Sequence, residues 1–340
     1  MAKVFVSGPS GDRREVRELE RLGVEVVAGP GAEDDPGFQY PEGDWRAHLR
    51  EADVVLIATR DRLSGADLHG ADRLRAVVKA SIGIDRIDVP GATRAGVLVV
   101  NSPAPENFIG VAEAVVGLVI AHAKRLFAVE RLLRDGGWKS AEAMGRLLAG
   151  STVGLVGLGR VGAAVARRLA CWDVEVLATD PYRDSSEAAA VGAVLVPLDE
   201  LLSRSDYVSL HVVLTDETRG MIGGRELARM KPGAILINTA RGGVVQQDAL
   251  IQALDSGVLA GAALDVHEPE PLPADSPLRR FPAERVILTP HIIGNNRASQ
   301  ATAARMAVDS IAAVLDGKMP AQMLNPEAAD RWRRRFDVPA

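Results

Sequence analysis

The stretch from Thr152 to Asp180, TVGLVGLGRVGAAVARRLACWDVEVLATD, restricts the fold more than any other part of the chain. Six residues with the character of a buried strand lead into Gly157, Gly159 and Gly162 at the spacing G-x-G-x-x-G, and a helical apolar pattern follows from Val161 through Leu169. The glycines permit a tight turn, close approach of backbone to a pyrophosphate, and close packing of helix on strand, with the phosphates at the helix N-terminus. The next strand, VEVLAT, ends at Asp180, about twenty residues past the glycines, where a carboxylate can accept both hydroxyls of an adenosine ribose. Strand, glycine turn, helix, second strand and acid in that order predict a dinucleotide site. The carboxylate favours NAD because it would repel the 2′-phosphate of NADP; Arg183, close by, leaves some tolerance.

The rest of the chain supplies the same kind of architecture. Apolar runs at Lys3–Ser7, VEVVA, Asp53–Ala58, Arg75–Ala80 and Val97–Asn101 read as buried strands, and Arg13–Leu22 has helical spacing. Further strands are expected near Val174 and Val194, and at Asp206–Leu210, Ala234–Asn238, Ala260–Asp265 and Val286–Thr289. Alternating short strands and helices predict α/β structure with two doubly wound parallel sheets. A final helix, about Ser299–Leu315, has no place in the cofactor unit and is expected to return to the first domain. The domains are then 1–101 with 291–325 for substrate and 102–290 for cofactor, hinged near Asn101–Pro105 and Thr289–Pro290. Residues 326–340, which lack apolar periodicity, are expected to form a mobile or arm-like tail.

Composition excludes several classes. At 340 residues, two domains are expected, and a net charge of −5 with the one dense basic run confined to Arg331–Phe336 argues against nucleic acid. No signal pattern opens the chain and no apolar run approaches the ~18 residues of a membrane span, so a cytoplasmic protein is expected. The single Cys171 reads as a small buried hydrophobe, and no His, Cys and acid group has metal-ligand spacing. One long helix, Gly110–Gly136, is too apolar for a free surface; either a second subunit or the cofactor unit must cover it, and a homodimer through Gly110–Gly150 is the expectation.

Three stretches at strand ends carry the candidate chemistry: INTARGGVV with Arg241, LDVHEPEP with Asp265 and Glu270, and LTPHIIG with His291. Open α/β sheets bind ligands there. An arginine fork suits a carboxylate and keto oxygen, a histidine can protonate that oxygen as hydride reaches carbon, and a carboxylate beside the histidine favours imidazolium. Hydride transfer to a 2-oxo acid follows. Glu268 and Glu270 both remain as partners for the histidine at this level. His48, His69, His122 and His267 read as structural or surface residues.

With SIGIDRID at Ser81–Asp88, VAE at Val111–Glu113, the glycine turn, Asp180, Arg241, DVHEPEP and TPHIIG in this order, residues 50–320 resemble the D-isomer-specific 2-hydroxyacid dehydrogenases. The resemblance implies a Rossmann cofactor domain inserted into a flavodoxin-like substrate domain, NAD as cofactor, and a small D-2-hydroxy or 2-oxo acid as substrate. It implies catalytic roles for Arg241, Glu270 and His291, with Glu270 as the histidine's partner. It implies cofactor contacts from Gly157, Gly159, Arg160, Val161, Gly162, Asp180, His211, Thr239, Ala240, Arg241 and Asp265, the last on the nicotinamide carboxamide. Substrate contacts are implied for Ser81, Ile82, Gly83, Arg241 and His291. The chain departs from the family pattern at Ser81, Gly110, Val213 and Ile293, the last adding bulk near the histidine. Formate-oxidising relatives pair the histidine with glutamine, so Glu270 argues against that chemistry. Hydroxypyruvate, glyoxylate, 3-phosphoglycerate, lactate and a phosphorus oxyacid such as phosphite are all compatible with the same triad; a substrate with a phosphonate or phosphate group would need an extra cation, for which Arg60, Arg62 and Lys79 are candidates. An NADH-sensing, corepressor-like binding protein is the rival reading.

Overall fold

The computed structural model describes residues 1–31, 35 and 38–338. In the first part of the chain, short runs rich in valine form strands β1 (Lys3–Val6), β2 (Glu25–Ala28), β3 (Val54–Leu56), β4 (Ala76–Val78) and β5 (Leu98–Val100). Helices α1 (Arg14–Arg21), α2 (Glu42–Glu51) and α3 (Val89–Ala95) lie between them. The strands are parallel in the order β2-β1-β3-β4-β5, the flavodoxin-like arrangement. Side chains alternate between two cores, Val4, Val6, Val54 and Leu56 on one face and Phe5, Val55, Val77 and Val99 on the other. Burial on both faces is why these strands read as unbroken apolar runs.

The chain then enters α4 (Pro105–Ala123) and α5 (Leu126–Arg134). The single helix expected over Gly110–Gly136 is therefore two. Arg125, with φ of 49°, occupies the left-handed region that a continuous helix cannot accommodate. Among the described residues α4, with 19 residues and a mean hydropathy of 1.4, is long and apolar enough to cross a membrane by length and composition, which corrects the expectation that no run approaches that length. Its Ala112, Val115, Val119 and Ala123 are buried in a core with strand residues. Phe127, Leu133, Trp138, Met144 and Leu147 stay exposed.

Seven strands follow: β6 (Thr152–Val156), β7 (Glu175–Thr179), β8 (Val194–Leu195), β9 (Tyr207–Leu210), β10 (Ala234–Asn238), β11 (Leu259–Leu264) and β12 (Val286–Leu288). The helices between them are α6 (Arg160–Leu169), α7 (Ser185–Ala189), α8 (Leu198–Arg204), α9 (Gly224–Arg229) and α10 (Gln247–Asp255). The sheet is parallel in the order β12-β11-β10-β9-β6-β7-β8, which reverses direction beside β6 as a Rossmann fold does. Val153, Leu155, Ile235 and Ile237 pack under α4 and α6, while Val208, Leu210 and Leu236 pack against Leu201, Leu227 and Leu254. Cys171 is exposed rather than buried, because α6 stops at Leu169 and the cysteine falls on the turn beyond its apolar face.

The last part returns to the first unit as α11 (Arg297–Leu315) and α12 (Ala329–Arg335). Contacts divide the chain into Met1–Glu106 with Asn296–Ala340 and, separately, Asn107–Asn295, five residues beyond the boundaries read from sequence at each crossing. The arm-like tail is the larger correction. Trp332 is fully buried with Val78, Leu98 and Ile311, and its Nε1–H donates to the carbonyl of Arg75 at 3.0 Å. Asn325 is buried too: its Oδ1 accepts from the amide of Val99 and its Nδ2 donates to the carbonyl of Val97. Leu324 donates to the Val99 carbonyl and Met323 bridges Val100 antiparallel, so the segment covers the open edge of β5. One tryptophan and one asparagine anchor it, too few residues to produce a periodic signal.

Candidate active site

Because the second sheet is wholly parallel, the segments following β6, β7, β9, β10, β11 and β12 all leave from one edge. Gly157, Asp180, His211, Arg241, Glu270 and His291 lie on them. Gly157 has φ of 98°, and a Cβ there would lie 2.8 Å from the His211 carbonyl oxygen. At Gly162 a Cβ would lie 2.2 Å from the Gly157 carbonyl oxygen, so this glycine lets α6 press against the turn. Gly159 has open space instead, with nothing within 4 Å of its missing Cβ. Gly157 and Gly162 serve packing; Gly159 keeps room over the backbone at the start of α6.

Gly162→Ala is therefore expected to weaken NADH binding about ten- to a hundredfold, the cost of overpacking against an unyielding backbone. Fluorescence titration checks this; affinity within twofold of wild type would refute the packing role.

Asp180 ties the turn to the end of β7. Its Oδ2 accepts from the Leu158 amide at 2.8 Å and its Oδ1 from the Tyr182 amide at 2.9 Å. A carboxylate has lone pairs left over for ribose hydroxyls. Arg183 is paired with Glu187 at 2.7 Å rather than turned toward a 2′-phosphate. Val161 packs on the core, and the Arg160 guanidinium lies 5.3 Å from the Phe108 ring centre. His211 reaches the surface at one side, yet burial pushes its pKa down to about 4, so the ring is neutral. Its Nε2 and the Thr239 hydroxyl are buried polar atoms without hydrogen-bond partners among the described residues. With the room at Gly159, these atoms suit a polar ligand the length of a dinucleotide.

The Arg241 turn is held by Asn238, a residue the sequence did not single out. Its Oδ1 accepts from Ala240 N and its Nδ2 donates to the Arg241 carbonyl. Arg241 also donates from Nη1 to the Ala240 carbonyl at 2.7 Å. Gly242 lets this turn touch the next one, since a Cβ there would lie 2.2 Å from the His267 carbonyl oxygen.

His291 Nδ1–H donates to Glu270, with both carboxylate oxygens within 3.1 Å. That leaves Nε2 as the nitrogen available to a substrate. Burial works against charge on Glu270, but the hydrogen bond and charge of His291, the amide of His267 and the charge of its ring outweigh it and hold the carboxyl below its ordinary value. Glu268 lies 3.6 Å from Arg219 in an exposed ion pair, which decides the partner left open by the sequence. His291 itself has φ of 54°, rare for a residue with a side chain. Asp265 enforces that backbone: its Oδ1 accepts from Thr289 Oγ1 at 2.6 Å and from the amides of Ile292 and Ile293, and its carbonyl accepts from the His291 amide at 2.7 Å. Buried and so engaged, Asp265 is first a brace for the histidine segment. Ile293 is partly buried and packs against the core that includes Val115 and Val119, while Ile292 is exposed.

Ser81, Ile82 and Gly83 follow β4 in the other unit. The Ser81 carbonyl accepts from Ser102 N and the Ile82 carbonyl from Asn101 Nδ2, which anchors the loop from behind. Arg60 is committed to the carbonyls of Ser7, Pro30, Gly31 and Asp35, and Lys79 is buried, leaving Arg62 as the exposed cation of the three. Among the described residues, no group of three or more His, Cys, Asp or Glu is placed to hold a metal.

The sequence pattern described as "D-isomer specific 2-hydroxyacid dehydrogenase, NAD binding domain" matches residues 116–293, just over half of the chain. The chain belongs to the D-isomer specific 2-hydroxyacid dehydrogenase family. Members of this family are NAD-dependent oxidoreductases, and NAD is the cofactor here. Within it, the chain is 40% identical to a glyoxylate reductase of Thermofilum pendens over 82% of its own length and 83% of the relative's. It is 38% identical to the D-3-phosphoglycerate dehydrogenase of Mycobacterium tuberculosis over 90% of its length, but spans only 58% of that longer protein. The crystal structure of D-lactate dehydrogenase from Aquifex aeolicus, complexed with NAD and lactic acid, superposes with a TM-score of 0.82 at 29% identity, covering 95% of this chain and 98% of that one. The fold is the family's: two parallel-sheet α/β domains, one of them Rossmann-type.

Proposed function

We propose that this dehydrogenase interconverts a small 2-oxo acid and its D-2-hydroxy acid, with His291 as the acid/base. NADH supplies the hydride that reaches C2. His291 Nε2 gives its proton to the carbonyl oxygen as the new C–H bond forms, and takes it back in the reverse direction; reduction therefore needs imidazolium and oxidation imidazole. Glu270 fixes the ring through Nδ1, and Arg241 offers its fork to the substrate carboxylate and keto oxygen. The backbone of Ser81–Gly83 is proposed as a substrate contact, and Asp265 as a contact to the nicotinamide carboxamide. What carries the reading is the His291–Glu270 pair on the same sheet edge as the glycine turn, with the Arg241 turn packed against the glutamate's loop through Gly242. Loss of NADH absorbance against a panel of 2-oxo acids tests this. Tight NADH binding with no oxidation across the panel would replace it with the NADH-sensing reading.

Glu270→Gln is expected to lower turnover about ten- to a hundredfold, the range of a hydrogen bond to a charged group. Its effect on stability depends on pH. A carboxyl whose folded pKa is depressed stabilises the protein above its unfolded pKa, and that contribution disappears as pH falls through the folded value. The melting-temperature gap between wild type and E270Q should close in acid; a constant gap would contradict it.

We also infer a homodimer, with the exposed Phe127, Leu133, Trp138, Met144 and Leu147 as its apolar surface. Light scattering should give twice the chain mass, and Leu133→Lys should reduce it; a monomeric wild type at working concentration refutes this.

A further inference from the structure

His267, read from sequence as structural or surface, meets all three of the segments that carry the proposed catalytic side chains. Its backbone carbonyl is the group against which Gly242 packs, next to Arg241. Its amide donates to Glu270 Oε1 at 3.0 Å. Its ring reaches across to the segment after β12, where Nε2 lies 2.9 Å from the carbonyl of Thr289, two residues before His291. A carbonyl only accepts, so Nε2 carries the hydrogen, and the other nitrogen, Nδ1, is buried without a hydrogen-bond partner among the described residues. The ring thus has one anchor. Thr289 is in turn bonded through its hydroxyl to Asp265, and the next residues carry His291 in its left-handed conformation.

We propose that the His267 side chain is a positioning residue for proton transfer: by pinning the Thr289 carbonyl it fixes the His291 backbone relative to Glu270, whose carboxylate the same residue holds through its amide. It need not touch substrate or exchange a proton. The hydrogen bond joins two loops that leave from neighbouring strands, so losing it leaves the sheet intact while letting the histidine segment move against the glutamate. Small displacements of a reacting group are costly in rate.

This inference rests on His291 as the acid/base, and the test separates the two. Steady-state kinetics are compared for wild type, H267F, H267Q and H291A, with NADH affinity and melting temperature measured on each. Phenylalanine keeps the ring and removes the donor; glutamine keeps an N–H of similar reach. The expected result is kcat about tenfold lower in H267F, equivalent to about 1.4 kcal/mol, with KM for NADH within about twofold and recovery to within about threefold of wild type in H267Q. Wild-type kcat in H267F, equal loss in both His267 variants, or a fall in NADH affinity and melting temperature that accounts for the lost rate would each overturn the positioning role. Retained turnover in H291A would instead overturn the acid/base assignment beneath it.

Discussion

His291→Ala should lose about 10²–10⁴-fold in kcat, the usual share of general acid–base catalysis, while NADH affinity stays within about twofold. The split follows from where the residue sits. His291 is on the loop after β12, bonded to Glu270 and braced by Asp265, whereas the turn assigned to the pyrophosphate follows β6, four strands away in the sheet. Removing the imidazole takes away the proposed proton donor but none of the glycines and not Asp180. Alanine at this position must still adopt φ of 54°, which costs of order 1–2 kcal/mol for any residue with a Cβ and is already paid by histidine, so folding should be little affected. Reductive turnover of the wild type should fall with rising pH while oxidative turnover gains, since the two directions need opposite forms of the ring; in H291A that opposed dependence should vanish. Stopped-flow measurement of NADH oxidation separates chemistry from release. Turnover in H291A near the wild-type rate would remove the residue from the mechanism.

The second large effect is on stability. Trp332→Ala is expected to cost about 3–5 kcal/mol, the range for emptying a large aromatic site, and to lower the melting temperature of its unit by about 10–15 °C. The indole is fully buried, packs on Val78, Leu98 and Ile311, and gives its N–H to the Arg75 carbonyl, which the variant leaves without that donor. The residue belongs to the unit that carries the Ser81–Gly83 loop, while the glycine turn, Asp180 and His291 lie in the other. NADH affinity measured well below the transition should therefore survive. Differential scanning calorimetry checks the first part and fluorescence titration the second; a melting temperature within a few degrees of wild type would return these last residues to the status of a loose arm.

Asp265 and Ile293 show how reading a motif differs from reading a site. The motif assigned Asp265 to the nicotinamide; its carboxylate also holds Thr289, Ile292 and Ile293, a use that depends on β11 and β12 lying side by side. Ile293, a bulky departure from the family pattern, is partly buried against the core, and its amide is one of those that Asp265 holds. Glu268 and Glu270, indistinguishable as acids two residues apart, were separated by Arg219, which takes the first and leaves the second to the histidine.

By itself the amino-acid order determined the local units: buried strands from short apolar runs, the turn over Gly157–Gly162 from residues that alone tolerate its contacts, and the acid at the end of β7. Those signals are legible because each is imposed by neighbours within a few residues. Only the tertiary structure decided that α4 and α5 break at Arg125, that Trp332 closes the first unit, and that His267 joins the turns carrying Arg241, Glu270 and His291. Such features depend on pairings between residues far apart in the chain, where one side chain suffices and no period is left to read.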